Sequence, residues 1–98
     1  MQGEYFDPNH GGCHRIIRKL GDHSYQIDGA YGEDEITATT ARQWHANIHA
    51  GAEGKLLTVD FFNKQVLAHA RIYYALWCPR TREIHWEDGN IWKQMYSF

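Results

Sequence analysis

Gln43-Trp44-His45-Ala46-Asn47-Ile48-His49-Ala50 is the stretch that decides the fold. Read with a period of two, it places Trp44, Ala46, Ile48 and Ala50 on one face and His45, Asn47 and His49 on the other. The alternation is unbroken from Trp44 to Ala50. Read with a helical period, the acidic Glu33-Asp34-Glu35 would suit a first turn, and Ala41, Trp44, His45 and Ile48 would share a face. Thr37, Thr39 and Thr40 lie between, and threonine loses side-chain freedom in a helix. The stretch is therefore read as a strand.

The same period extends in both directions. Tyr25 and Ile27 oppose Gln26 and Asp28; Leu57, Val59 and Phe61 oppose Thr58 and Asp60. Tyr73, Ala75 and Trp77 share one face, with Ile72, Tyr74, Leu76 and Cys78 on the other. These runs are rich in β-branched and aromatic residues and are separated by Gly, Asp, Asn and Pro, the residues of turns. At Trp86-Glu87-Asp88-Gly89-Asn90-Ile91-Trp92, two hairpins are possible. A two-residue loop at Asp88-Gly89 would set the tryptophans on opposite faces. A three-residue loop, Glu87 to Gly89 with Gly89 left-handed, pairs Ile84 with Trp92 and puts both indoles on one face. The second buries more aromatic area together and is preferred.

These signals predict an all-β fold, a single small antiparallel barrel or strongly curved meander of six or seven short strands. Residues 1–12 are read as an N-terminal loop and residues 13–98 as a single β domain. The chain has 98 residues, 43% of them hydrophobic and 14% aromatic, enough apolar surface to offset the entropy of ordering one domain. A net charge of −2 lacks the basic footprint of a nucleic-acid binder. The uncharged run Ile72 to Cys78 is far shorter than the roughly 20 residues of a membrane-spanning helix. The first residues show no basic start and no apolar run, so the expectation is an intracellular, cytoplasmic protein with Cys13 and Cys78 reduced.

The two ends of the chain carry a resemblance. Tyr5-Phe6-Asp7-Pro8-Asn9-His10, with Cys13 and Arg15 following, resembles a Y-x-D-P-x-H-P-x-C-x-R opening. Val59-Asp60-Phe61 and Ile84-His85-Trp86-Glu87-Asp88-Gly89-Asn90-Ile91-Trp92 resemble the V-D-F and I-x-[WF]-x-D-G-N-x-W portions of the same pattern. The pattern is that of a small β-rich domain family of algae and other protists. Gly11 stands where that family usually has Pro. The resemblance implies a β-rich fold and brings no activity with it.

Two kinds of chemistry compete for the candidate site. Aromatic rings with polar tips suit a ligand surface, and Trp92, Tyr74, Asp88, Asn90, Tyr5 and His10 are the candidates. They would form an aromatic sheet face, or a mouth framed by the Tyr5 to His14 loop and the Glu87 to Asn90 turn. The expected function is non-catalytic binding of a small molecule or protein, with no cofactor and no catalytic residues. The alternative is a small metal-dependent enzyme or zinc-stabilised module using His10, Cys13 and His14, whose imidazole and thiolate groups are good zinc ligands. Structural zinc sites normally carry two close ligand pairs, and only one is visible here. Asp7 before Pro8 is read as an Asx turn.

Overall fold

In a computed structural model, the segments that alternate with a period of two and one further short segment at the start of the chain form eight strands, paired into one closed antiparallel barrel. The structure describes residues 1–10, 15–30, 43–62 and 72–98. The strands are β1 (Gly3–Phe6), β2 (Arg15–Lys19), β3 (Ser24–Ala30), β4 (Gln43–Ala50), β5 (Leu56–Asp60), β6 (Ile72–Cys78), β7 (Glu83–Trp86) and β8 (Ile91–Ser97). A single 3₁₀ turn, Pro8–His10, follows β1. Each strand pairs with the next, and β1 pairs with β8 to close the barrel. Among the described residues, no helix is long and apolar enough to cross a membrane.

The strand reading of 43–50 holds residue by residue. Trp44, Ala46, Ile48 and Ala50 are buried, while Asn47 and His49 are exposed. The helical alternative would have turned His45 inward beside Trp44. Inward positions continue across the sheet by register: Ile17 faces Ile27, which faces Ala46. Opposite Trp44 in β4 stands Gly29 in β3. A Cβ on Gly29 would fall 2.8 Å from the indole Cη2 and closer still to Cζ2 and Cε2. The missing side chain is thus the floor on which the largest buried ring lies.

The hairpin register also agrees. Ile84 pairs with Trp92, the Trp86 amide donates to the Asn90 carbonyl at 2.8 Å, and the Gly89 amide donates to the Trp86 carbonyl at 3.0 Å. Gly89 has φ +92°, a conformation that costs glycine little and other residues more. The Trp86 and Trp92 ring centroids are 4.8 Å apart, so both indoles face the core.

The N-terminus differs from the expectation of a loop over residues 1–12. Gly3–Phe6 is a strand, held by β2 on one side and β8 on the other. It is an eighth strand that periodicity did not reveal. Its four residues contain no β-branched side chain and one bulky inward ring, Tyr5. Pairing from both neighbours, with a bulge between Glu4 and Tyr5, supplies what local propensity lacks.

Candidate functional site

The up-and-down order gives the barrel two unlike ends. β1, β3, β5 and β7 finish at one end, where the connections spanning 7–14, 31–42, 61–71 and 87–90 leave. The turns at the other end are short, at 20–23, 51–55 and 79–82, and both chain termini lie there.

The first end is the expected mouth, and the two segments expected to frame it do meet. Asn90 Nδ2 donates to Asp7 Oδ1 at 3.0 Å, bridging the β7–β8 turn to the segment after β1. The Asn9 amide donates to the same carboxylate at 2.9 Å, which is the Asx turn read from Asp7-Pro8. Asp7 Oδ2 is 3.4 Å from Arg15 Nη2, and both side chains are almost wholly buried. The Arg15 guanidinium lies 5.0 Å from the Trp44 ring centroid and 5.6 Å from that of Trp92. Phe61 packs on Trp44 and on Trp86. The Asp7 carboxylate neutralises a cation that lies between two indoles. This end is a plug. Among the described residues, a depression of about 450 Å³ lies on its outer surface between Pro8, Asn9 and the Asp88–Ile91 turn.

The candidate residues consequently part company. Trp92 is 4% exposed and Tyr5 wholly buried, so both rings belong to the core of the barrel and not to its outer surface. Tyr74 is exposed on the outer face of β6, its amide bonded to Glu87 Oε1 at 3.0 Å. Asp88 is exposed in its turn, and Asn90 is half-buried against Asp7. His10 ends the 3₁₀ turn; its side chain, and all of Cys13 and His14, lie outside the described residues. Among the described residues, no three His, Cys, Asp or Glu side chains cluster as a metal would require. Cys78 is a free, half-buried thiol.

The opposite end holds what the sequence reading missed. Following inward positions along each strand, Arg15 and Ile17 lead to Lys19, Gly29 and Ile27 to Tyr25, Tyr73 and Ala75 to Trp77, and Trp92 to Gln94. These last residues, with Arg82 and Phe98, line an open cup of about 440 Å³. Polar bonds hold its wall. Gln94 Nε2 donates to the Gln2 carbonyl at 2.9 Å. That orients Oε1 to accept from Arg82 Nη1 at 3.2 Å. The Lys19 amide donates to Gln2 Oε1 at 2.9 Å. Beneath, Tyr5 stands edge-on to Trp77, its hydroxyl donating to the Met1 carbonyl at 2.5 Å. Burial, reinforced by the nearby Tyr25, pushes the Tyr5 phenol far above its ordinary value, so it stays a protonated donor.

Arg82 has φ +57°, a left-handed conformation that no other described non-glycine residue adopts. It costs about 1 kcal/mol for a residue with a Cβ. The carbonyl of Arg82 accepts the Gln94 amide at 3.0 Å, so backbone and side chain both bind Gln94. The available signal was parity: Lys19 and Gln94 are polar residues at inward positions, which a closed apolar interior would not tolerate.

Compared with protein-family models, curated proteins and solved structures, the chain matches none. The resemblance noted above therefore rests on the quoted residues alone.

Proposed function

We propose that this barrel is a non-catalytic binding module and that the cup at its short-turn end is the binding site. One observation carries the reading: the last inward layer presents Tyr25 and Trp77 over polar groups instead of an aliphatic seal, around about 440 Å³ of space. Ligand sites of small molecules commonly occupy roughly 300–1,000 Å³, and the mouths of β-barrels are frequent locations. The other end supports the assignment by contrast, since its interior is filled by Arg15 between two indoles.

A fragment screen followed by NMR tests it. Ring-containing fragments should shift the Trp77 indole N–H and the Gln94 side-chain amide in a saturable manner. Fragments that bind only at the Asp88–Ile91 turn or on the outer face of the barrel would refute the assignment.

A second reading, docking of another protein, is favoured by a strip on the outside of β5 and β6. Leu56 pairs with Leu76 there, and Leu56, Leu76, Tyr74 and Ile72 are 40–57% exposed. Apolar strips of this kind often mark contact surfaces. Shifts in the Tyr74 and Leu76 resonances as protein concentration rises would show self-association through it.

A further inference from the structure

Resting on the reading of the cup as the binding site, we propose that its ligand is a flat aromatic carboxylate, its ring against Trp77 and Tyr25 and its charge on Arg82. The first argument is local charge. The chain as a whole is slightly acidic, with twelve carboxylates against ten lysines and arginines. Yet the residues lining the cup include Lys19 and Arg82 and no aspartate or glutamate. Elsewhere on the barrel Arg15 pairs with Asp7 and Arg18 with Asp28, while Lys55, Arg80 and Lys93 have no carboxylate partner among the described residues but do not line the cup. Among the described residues, neither Lys19 nor Arg82 has such a partner. A positive patch of this kind raises the local concentration of anions.

The second argument is the state of Arg82. Its guanidinium is bonded to a neutral amide oxygen, Gln94 Oε1, leaving most of its five donors for other groups. A planar guanidinium matches a carboxylate through two parallel bonds, which are shorter and about twice as strong as a bond to a neutral acceptor. The left-handed backbone at Arg82 brings the side chain onto the wall of the cup. It is held there by the reciprocal bonds with Gln94. Strained residues that the surrounding structure holds in place are a recurrent feature of ligand clamps.

The third argument is shape. Tyr25, Trp77 and Phe98 are three aromatic residues among those lining the cup. An aromatic ligand gains stacking contacts there that an aliphatic acid or a bare inorganic anion does not.

The test uses three probes with one ring system: indole-3-acetate, indole-3-acetamide and tryptamine, carrying negative, zero and positive charge. Binding to the full chain is followed at the Trp77 indole N–H by NMR and by calorimetry at low salt. The acid should bind about tenfold more tightly than the amide, with the amine weakest. Arg82→Gly, which keeps the left-handed backbone and removes only the side chain, should erase the preference for the acid while the amide still binds. Lys19→Gln should reduce the preference in part. If acid and amide bind at Trp77 equally, the carboxylate assignment fails and the cup remains a binding site. If no probe perturbs Trp77, the cup is not the site and both conclusions fall. If Arg82→Gly unfolds the barrel, Arg82→Gln with its urea midpoint measured alongside gives the same comparison, and an unchanged preference in that variant overturns the role of Arg82.

Discussion

Gly29→Ala is a small substitution that should be costly. The backbone at Gly29 is not left-handed, so alanine meets no conformational penalty. On that ground alone it should stabilise, by about 0.4–1 kcal/mol, by restricting the unfolded chain. Packing reverses the sign. The new Cβ would lie under 3 Å from three atoms of the Trp44 ring. That ring is wholly buried, with Arg15 5.0 Å from its centroid and Phe61 at 5.5 Å. It cannot tilt without moving both. Overpacking of a filled core costs about 1–3 kcal/mol, and a rigid ring held on its other sides belongs at the upper end. The net expectation is a loss of about 2 kcal/mol. With a urea dependence of about 2 kcal/mol per M, the midpoint followed by circular dichroism should fall by about 1 M. Trp44→Leu provides the control. In that background the space over residue 29 opens, and adding Gly29→Ala should cost little or nothing. An unchanged or raised midpoint for Gly29→Ala in the native background would refute the packing argument.

Three further outcomes follow from the same structure. Gly89→Ala has open space around its Cβ but a φ of +92°, so it should destabilise by about 1 kcal/mol through backbone strain alone, read as a fall in urea midpoint with unchanged slope. Asp7→Ala removes the carboxylate that ties Arg15 and Asn90 together; breaking a buried ion pair should cost about 3 kcal/mol, and a cost near zero in thermal unfolding would show that the indoles alone hold Arg15. For Asp28, burial works to raise the carboxyl, but hydrogen bonds from Gln26 and His45 and the charges of His45 and Arg18 outweigh it, and the net shift is downward. A carboxyl held low when folded adds stability that is complete above its unfolded value, about 3.9, and is lost as pH falls through the lower folded value. Urea midpoints of the native chain should therefore drop more steeply below about pH 4 than those of Asp28→Asn, and parallel curves would exclude this contribution.

Most of the barrel was legible because its strands are half-buried, so parity alone separates inside from outside. The segment 43–50 and the Trp86–Trp92 hairpin show this best, since a single-residue slip in either would turn tryptophans to solvent. β1 was hidden because four residues with glycine at one inward position carry almost no pattern. The site was harder. Tyr25 and Trp77 sit at the end of an inward series, and in sequence they look the same as core residues in its middle. Lys19, Arg82 and Gln94 come from three separate strands and turns and look like ordinary surface polarity. Only closure of the sheet brings them to one rim. Conversely, Tyr5 and Trp92 looked like ligand aromatics because their polar tips are compatible with either place.

The connectivity has a consequence for chain entropy. Seven of the eight strand pairings join consecutive strands, and the eighth sets Gly3 beside Ser97. In an open chain, bringing those ends together would cost about 2 kcal/mol more than closing a ten-residue hairpin, since loop closure scales with the logarithm of length. The sheet removes that cost by its own curl. As local hairpins twist around the filled interior, the outer edges of β1 and β8 approach without a separate search. The barrel is thus a structure built almost wholly from local pairings, in which the one distant contact is a geometric by-product of the others.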